Sequence, residues 1–448
     1  MISAGRGSPG GWAPSRRTVL KGALAGAGAL AGAWALAGCA TGTGPASSAS
    51  TRIQMWHLFT GGDGGIFQQM LTEVQEEDPS VGIDPVVLTW GAPYYTKLVM
   101  ASVGGRSPDL AVMHLTRVAG WVPGGVLDPW DVDLLAEHGV TQDMFPPALW
   151  DRAVIDGQLW AVPLDFHAFI LFYDRGIADA AGILGPDGLV GLDSPEGFVE
   201  AGRALADTTG YAGIGYGYTG DGAQMSRMLW GLYAQTGAEV VLNPGEAAQV
   251  DRDALVEVTS WVQSWLDDTV AIANSDYPSA VANFSTGRVG ACFNGNWELQ
   301  SFLTAEVDVD AMPMPTVFGS PATYGDSHVF VLPHQVNVDP AKREAAYATV
   351  AAMLRKSLLW SEGGHIPANR EITESAEYQD KVPQSHYAAA ADEAVFDPQA
   401  WFTGSGSDFQ ARVGEALQGA WLDKSSPEAA VDRLIGALDA ALQTKPPA

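Results

Sequence analysis

Hydrophobic residues follow two different periods along the first third of the chain. Three short apolar runs, "RIQMWHLF", "GIDPVVLTW" and "DLAVMHL", have the length and composition of β-strands. In the segment after the first run, the apolar residues fall on one helical face: Ile66, Phe67, Met70, Leu71 and Val74. A second helix is predicted at "YYTKLVMASVGG". This alternation predicts an α/β domain with a largely parallel sheet.

Polar and aromatic residues lie at the ends of these strands. His57, Trp90 and His114 each come at or near the carboxyl end of one run. Ligands of open α/β sheets bind beyond these ends, so all three are candidate ligand contacts. Alternation along the first strand separates Trp56 from His57, and we expect His57 at the ligand and Trp56 in the core. Asp63 precedes the first helix, where its carboxylate can cap free N–H groups.

The rest of the chain continues as mixed strands and helices. The segment "DGQLWAVPLDFHAFILFYD" predicts a hairpin followed by a long extended strand, and "FSTGRVGACFNGNWELQSFL" predicts a turn, a strand, a turn and a helix. Amphipathic helices follow, ending with "PEAAVDRLIGALDAALQ". A chain of 448 residues exceeds one typical core, and no second linker divides it. We therefore predict two α/β lobes joined by crossing strands.

Composition excludes some classes of partner. The hydrophobic fraction of 47% with 17% charged residues is typical of a well-packed globular protein. The formal charge of −28 argues against nucleic-acid binding, because phosphate backbones require clustered lysine and arginine.

The N-terminus predicts an export signal in residues 1–38. "SRRTVLK" precedes an uncharged run that is too short and too rich in Gly and Ala for a membrane span. It resembles the twin-arginine export motif, with Val19 where Phe is usual, and "LAGC" resembles a bacterial lipobox. This resemblance implies a lipid on Cys39 and anchoring at the extracytoplasmic face of the cell membrane, with residues 39–52 as a flexible tether. An ordinary signal with a chance cysteine is the alternative. A lipidated Cys39 leaves Cys292 without a partner, and we predict that Cys292 is a buried apolar residue.

Several segments, taken in order, resemble the sugar-binding, maltose-binding-like class of ABC-transporter extracellular solute-binding proteins. They are "WHLFTGGDGG", "SVGGRSPDLAVM", "VLDPWD", "DGQLWAVPLDFHAFILFYDRGIADAAG", "FSTGRVGACFNGNWEL" and "WSEGGHIPANREI". The resemblance implies a two-lobe periplasmic-binding-protein-like fold with a ligand cleft and a multi-strand hinge. We expect an N-terminal lobe of residues 53–166 plus 309–357 and a C-terminal lobe of residues 167–308 plus 358–448. It further implies a monomer that captures a carbohydrate, expected to be an oligosaccharide, by lobe closure and delivers it to ABC permease subunits, with no chemistry and no cofactor.

The resemblance also implies ligand contacts around "FNGNWELQ". In this family the tryptophan of the turn after the strand commonly stacks on a pyranose ring, and here that residue is Trp297. Asn294 and Asn296 supply amides for sugar hydroxyl groups. Asp63 matches a family position that often bonds such hydroxyls.

Two polar pairs are expected on the segments that cross between the lobes. Asp165 and His167 lie two apart in "PLDFH", hence on one face of an extended strand. Asp326 and His328, in "YGDSHVF", lie where the family's chain returns to the cleft.

Further candidates lie in the middle and last matching segments. Tyr216 and Tyr218 alternate in "GIGYGYTG", a loop in which the family often places aromatic rings. His365 and Arg370 belong to the last segment and are additional candidates.

Enzyme signatures are scarce. The chain has no G-x-S-x-G, H-E-x-x-H, C-x-x-C or G-x-x-x-x-G-K motif. A glycoside hydrolase needs only two carboxylates, so it remains the alternative function. "GYGYTG" matches G-x-G-x-x-G, but its mid-chain position disfavours a nucleotide-dependent oxidoreductase. A surface adhesin would explain the anchor but not the residues clustered at strand ends. The eight histidines are scattered and no acidic loop has the calcium pattern, so no metal site is predicted.

Overall fold

Two β-sheets organise the chain in the computed structural model, which describes residues 49–445. In chain order the strands are β1 (Thr51–His57), β2 (Val81–Val87), β3 (Leu110–His114), β4 (Leu127–Asp128), β5 (Val154–Ile155), β6 (Gln158–Leu159), β7 (Val162–Pro163), β8 (Asp165–Asp174), β9 (Ile214–Tyr216), β10 (Ala291–Gly295), β11 (Val309–Met312), β12 (Thr323–Asp326), β13 (His328–Pro333), β14 (Ile366–Pro367) and β15 (Ala394–Val395).

Helices cover both sheets. They are α1 (Gly62–Glu77), α2 (Ala92–Val103), α3 (Leu115–Trp121), α4 (Val132–Glu137), α5 (Pro147–Ala153), α6 (Arg175–Ala180), α7 (Pro195–Thr209), α8 (Gly222–Gln235), α9 (Arg252–Trp265), α10 (Tyr277–Ser285), α11 (Leu299–Thr304), α12 (Pro340–Arg355), α13 (Ser357–Trp360), α14 (Arg370–Thr373), α15 (Ala376–Gln379), α16 (Asp408–Trp421) and α17 (Pro427–Leu442). Short 3-10 turns occupy Val122–Gly124, Gln142–Met144, Asn296–Glu298, Ser361–Gly363 and Ala388–Ala391.

The first sheet has the strand order β2-β1-β3-β13-β4, and β7 also pairs with β13. β1 is parallel to both β2 and β3, whereas β13 returns from far along the chain and is antiparallel to β3. The apolar face predicted for α1 is buried through Phe67, Met70, Leu71 and Val74. The predicted strand–helix alternation is therefore confirmed.

The second sheet is built around β8. Its order is β15-β12-β8-β10-β9, and β11 and β14 also pair with β8. Alternate side chains of β8 enter two different cores, because neighbouring residues of a strand face opposite sides. Phe166, Ala168, Ile170 and Phe172 join the core shared with the first sheet, and Phe169, Leu171 and Tyr173 join the second core. Two lobes, each with its own sheet, confirm the predicted fold class.

The chain passes between the sheets at three points that lie side by side. Leu164 separates β7 from β8, Ser327 separates β12 from β13, and residues 364–365 lead from the 3-10 turn Ser361–Gly363 into β14. The Leu164 N–H donates to the His328 carbonyl at 2.8 Å, and the Ala368 N–H donates to the Leu164 carbonyl at 3.1 Å. These bonds make the crossings one connected hinge.

The strand pairings differ from the expected lobe boundaries. β11 is antiparallel to β8, with Val309 opposite Asp174, so residues 309–326 remain with the second sheet. α13 packs against α1, so the last crossing comes after residue 357. An apolar run predicts a strand, but it does not predict which sheet the strand joins.

Acidic residues begin many of the helices. Their side chains accept hydrogen bonds from backbone N–H groups of the first turn, which otherwise have no partner. Such caps are Asp131, Asp174, Asp221, Asp251, Asp276 and Asp339. Part of the negative charge thus serves the local stability of helices.

Cys292 is a free and fully buried cysteine on β10, as predicted. Burial raises the pKa of its thiol. The expected signal, tether and lipidated Cys39 lie outside the described residues. Within residues 49–445, no helix is both long and apolar enough to cross a lipid bilayer.

Asp397 is a fully buried carboxyl group beside the segments that join the lobes. The Arg152 guanidinium from α5 donates to its backbone carbonyl, and Gln410 Nε2 lies 3.4 Å from its Oδ2. Burial, with repulsion from Asp326, raises the pKa of Asp397 to about 7. The folded protein therefore holds a proton that the unfolded chain releases above about pH 4. Through this group, stability falls as pH rises from about 4 to 7.

Replacing Asp397 with Asn should remove this dependence. At pH 8 we expect the free energy of unfolding to rise by at least about 1 kcal/mol, because no charge is then buried, and the gain should shrink below pH 5. Urea unfolding of both proteins at pH 5 and 8 measures the difference, with exposed Asp380→Asn as control. An equal change at both pH values would contradict the assignment.

Candidate ligand-binding cavity

A cavity of about 340 Å³ lies where the carboxyl ends of β1 and β3 face the second sheet. Residues of the first lobe that line it are Leu58, Thr60, Gly61, Gly62, Asp63, Trp90 and His114. Residues of the second lobe are Asp221, Arg227, Tyr277, Trp297, Glu298 and Ser301. His167 and His328 come from the crossing strands β8 and β13. A ligand held here would touch both lobes and the hinge.

Trp297 forms one wall in a position fixed by its neighbours. Its ring folds back over Gly295, where a Cβ atom would overlap the six-membered ring. Its indole N–H donates to the Tyr277 hydroxyl at 3.0 Å, and that hydroxyl donates to Glu298. The Arg227 guanidinium lies over the ring, 4.9 Å from its centroid. A hydrogen bond, a cation–π contact and a glycine together set the orientation of the ring.

The opposite wall has a more accessible aromatic ring. Trp90 is 37% exposed and makes an edge contact with His114, at 6.4 Å between ring centroids. Asp63 lies in the first turn of α1, where the helix dipole favours a carboxylate. Gly61 occupies the N-cap, and no side chain caps this helix, so Asp63 does not have the capping role expected of it. Its carboxylate is left to face the cavity.

Three imidazole rings form the floor of the cavity. The ring centroids of His167 and His328 are 4.1 Å apart, and His114 lies 5.3 Å from the first and 4.9 Å from the second. His114 Nδ1 is 2.7 Å from the Tyr95 hydroxyl. Burial lowers the pKa of His114, and burial with repulsion from His328 lowers the pKa of His167 to about 3. Near neutral pH these two rings are therefore uncharged and can each donate and accept one hydrogen bond.

Beneath the floor lies the buried carboxylate of Asp165. His328 donates to it from the backbone at 2.8 Å, and Trp360 donates from its indole at 2.7 Å. Burial alone would raise the pKa of Asp165, but His328 and His365 outweigh it and hold this pKa well below its usual range. Burial opposes protonation of His365, but Asp165 and Asp63 raise its pKa to about 9. Charged groups therefore lie below the two uncharged imidazoles of the floor, those of His114 and His167.

The model of the bacterial extracellular solute-binding protein family matches residues 91–384, more than half of the chain. The chain belongs to this family. A binding protein of Brucella abortus (strain 2308) is 22% identical over 399 residues, which cover 85% of this chain and 90% of that protein. The predicted family is thus confirmed, and it is a family of binding proteins.

Two solved structures share the fold of this solute-binding protein. One is the GacH receptor of Streptomyces glaucescens GLA.O, which was solved unliganded and in complex with acarbose and an acarbose homolog. Its TM-score is 0.74 at 17% sequence identity, and the match covers 88% of this chain and 98% of that chain. The other is an ABC transporter solute-binding protein from Thermotoga lettingae TMO bound with alpha-D-tagatose, with a TM-score of 0.72, 17% identity, and coverage of 88% and 100%. At these identities the likeness concerns the fold.

Six of the residues predicted as ligand contacts line the cavity of the solute-binding protein. They are Asp63, Trp90, His114, His167, Trp297 and His328. Their shared position follows from the topology, since strand ends of the first sheet face the crossing strands and the turn after β10. Trp56 is buried as expected, and the structure places the other predicted contacts behind the cavity wall. The exception is Arg370, which is exposed on α14 and pairs with Glu374 at 2.9 Å.

Four of these remaining residues are buried polar side chains near the floor or the crossings. Asp165 supports the imidazoles, and Asp326 accepts hydrogen bonds from the Thr116 N–H group at the start of α3 and from the Ser327 N–H group between β12 and β13. Asn294 accepts from Gln224 at 3.2 Å, which in turn lies 3.3 Å from Arg227. Asn296 is fully buried, and neither atom of its amide has a hydrogen-bond partner.

Three aromatic candidates lie in cores. His57 is buried against Phe59 and Phe67, at 5.7 and 4.8 Å between ring centroids, and burial lowers its pKa to about 4. Tyr216 donates to the Gln224 carbonyl at 3.0 Å, and Tyr218 donates to the Trp421 carbonyl at 3.1 Å. Strand alternation does not predict ring exposure here, because helices cover both faces of the sheet.

Sequence reasoning missed six polar residues of the cavity as contacts: Thr60, Asp221, Arg227, Tyr277, Glu298 and Ser301. Glu298 directly follows Trp297 in the sequence, so its place in the cavity could have been predicted from that of Trp297. Asp221 ends the glycine-rich loop as the N-cap of α8, and its carboxylate accepts from the Ala223 and Gln224 N–H groups. Arg227 and Tyr277 carry no comparable local signal.

Gly295→Ala should test what holds Trp297. Gly295 has φ −75°, a conformation open to alanine, so the effect of substitution is steric. We expect a loss of about 1–3 kcal/mol of unfolding free energy from overpacking. In a Trp297→Ala background the same substitution should cost much less. Urea unfolding of the four proteins in this double-mutant cycle gives the coupling, and additive costs would contradict the packing assigned to the ring.

Proposed function

We propose that this solute-binding protein captures a carbohydrate in the cavity and delivers it to the permease of an ABC importer. The main support for the proposal is the set of side chains that line the cavity. Two tryptophan rings, two uncharged imidazoles and several carboxylates surround a space that both lobes share. The acarbose and tagatose bound by the two structural relatives support the same ligand class.

The chemistry of the lining matches a polyhydroxylated ligand. Sugar hydroxyls both donate and accept, so they suit carboxylates such as Asp63 and Glu298, imidazoles such as His167, and the Arg227 guanidinium. The aligned C–H bonds of a sugar face pack on aromatic planes such as Trp90. With several acids and Arg227 alone as a fixed cation in the lining, an anionic ligand is disfavoured. The volume lies near the lower end of the range of about 300–1,000 Å³ for small-molecule sites, which favours a short sugar.

Capture would proceed by closure of the two lobes. Each lobe contributes its own aromatic wall, and the hydrogen-bonded crossings form the connection between them. A ligand that touches both walls stabilises the closed arrangement, since its contacts with the second wall exist only there. The Arg227 guanidinium over Trp297 would swing aside to let a sugar ring stack. The closed monomer would then dock on the permease.

We propose that the protein acts at the cell surface as a lipid-anchored receptor. Residues 1–38 would be removed on export, and Cys39 would carry the lipid. The small residues up to position 52 would then serve as a tether between the lipid and the lobes. Replacing Cys39 with Ser should release the protein from the membrane fraction.

The proposed ligand class is tested by thermal shift and tryptophan fluorescence of residues 40–448 with monosaccharides, oligosaccharides, polyols and glycerophosphodiesters. We expect a saturable response to one class of sugar, recovered unchanged. Hydrolysis of a glycoside would instead favour the glycosidase alternative, through carboxylates in the same cavity. No response to any sugar would contradict the proposed ligand class.

Trp297→Ala and Trp90→Ala should each weaken sugar binding. Loss of a buried ring face should cost roughly 1.5–3 kcal/mol for Trp297, about 10- to 100-fold in Kd. Tyr211→Ala is a matched control, because Tyr211 is 46% exposed, lies beneath Arg288 at 4.1 Å and is outside the cavity. Titration calorimetry measures all three. Unchanged affinity in Trp297→Ala would contradict its place in the site.

A further inference from the structure

Four buried residues bring imidazole and carboxylate groups together beneath the cavity. Asp165, His167, His328 and His365, here called the imidazole–carboxylate cluster, are each at most 5% exposed. One nitrogen or oxygen atom from each lies within 4.8 Å of the others. They come from β8, β13 and the crossing before β14, so folding assembles histidines that are scattered along the sequence.

The three rings turn the same nitrogen toward one carboxylate. The Nδ1 atom of His328 is 2.8 Å from Asp165 Oδ2, and that of His365 is 3.1 Å from the same oxygen. The Nδ1 atom of His167 is 3.3 Å from Asp165 Oδ1. Three imidazole nitrogens and a carboxylate thus converge on one small volume.

Hydrogen bonds within the cluster cannot satisfy all of its buried nitrogen and oxygen atoms. Asp165 Oδ2 has two lone pairs but faces three nitrogens, since Trp360 Nε1 is also 2.7 Å away. Neither nitrogen of His365 makes a well-directed hydrogen bond, although the residue is fully buried. A buried imidazole without a well-directed hydrogen bond is costly, so a cation that displaces its Nδ1 proton and binds the lone pair would stabilise the cluster.

We propose that the imidazole–carboxylate cluster binds one divalent cation of the zinc class. Three imidazoles and a carboxylate are a donor set typical of tetrahedral Zn²⁺. Bonds of about 2.0–2.1 Å in a tetrahedron separate neighbouring ligand atoms by about 3.4 Å. The distances of 2.8, 3.1 and 3.3 Å from Asp165 to the three Nδ1 atoms are shorter than this by between about 0.1 and about 0.6 Å, so the rings must move apart by that much to make room.

The surrounding residues would hold the ligands of the cation in place. Metal-bound histidines usually donate their second ring N–H to a carboxylate or a similar acceptor. His365 Nε2 lies 3.6 Å from Asp63 Oδ2, and Trp360 stacks on the His365 ring at 4.2 Å between centroids with a 9° interplanar angle. The Trp360 indole and the His328 backbone N–H orient the carboxylate of Asp165.

The cation would set the hydrogen bonding of the cavity floor, a consequence that rests on the proposed function. With the metal on Nδ1, the remaining proton of His167 and of His328 resides on Nε2. Both rings line the cavity, so they would present donors to a ligand. Without the metal, Nδ1–H bonds to Asp165 leave Nε2 as an acceptor. The bound cation would therefore change which hydroxyl orientations the floor prefers.

Metal analysis of the full chain, purified without a histidine tag, tests the proposal and needs no sugar. The protein is stripped with dipicolinate, dialysed against Zn²⁺ and washed, and its metal content is measured by mass spectrometry. We expect one Zn²⁺ per chain and a higher Tm than in the stripped protein. Co²⁺ in its place should give the intense visible bands of tetrahedral coordination.

Variants locate the site. His365→Gln should reduce bound Zn²⁺ at least tenfold. His167→Gln should do the same, and it replaces His365→Gln in the test if that variant does not fold. His386→Gln is the matched control, because its Nδ1 also contacts a buried carboxylate, Asp310 at 2.8 Å, outside the cluster. Circular dichroism checks folding. Wild-type protein without stoichiometric Zn²⁺, or full retention of Zn²⁺ in folded His365→Gln, would overturn the proposal, whereas absence of a sugar response would leave it intact.

Discussion

One buried carboxylate connects the segments by which the chain passes between its two sheets. Asp165, at the start of β8, is contacted by His328 from the second crossing, by Trp360 at the end of α13 and by His365 from the third crossing. A charge in the interior is tolerated only when its donors surround it, so these segments must lie together for the charge to be stable. The hinge and the cavity floor are therefore set by the same interaction.

The cavity takes its chemistry from this arrangement. Because the carboxylate faces the Nδ1 atoms, the rings of His167 and His328 have fixed orientations below the ligand space. The walls are added by each lobe separately, with Trp90 on one side and Trp297 on the other. A rigid floor with two separate walls is the arrangement that a closing receptor requires, since closure moves the walls and leaves the floor in place.

Local patterns predicted the elements better than they predicted which side chains face the ligand. The hydrophobic period predicted α1 and the strands around it, and strand ends predicted Trp90 and His114 at the cavity. The structure buries His57, which strand alternation had placed at the ligand, and Tyr216, which the family resemblance had placed there. Only tertiary packing decides which of these rings is covered. Arg227 reaches the cavity from within a buried helix, which no short motif signals.

Capture between the lobes can be seen in a crystal structure of the protein grown with the sugar that gives the strongest response. We expect one sugar in the cavity, in contact with Trp90 and Asp63 of the first lobe and with Trp297 and Glu298 of the second. A sugar bound elsewhere, or one that touches a single lobe and leaves the histidine floor uncovered, would contradict capture between the lobes.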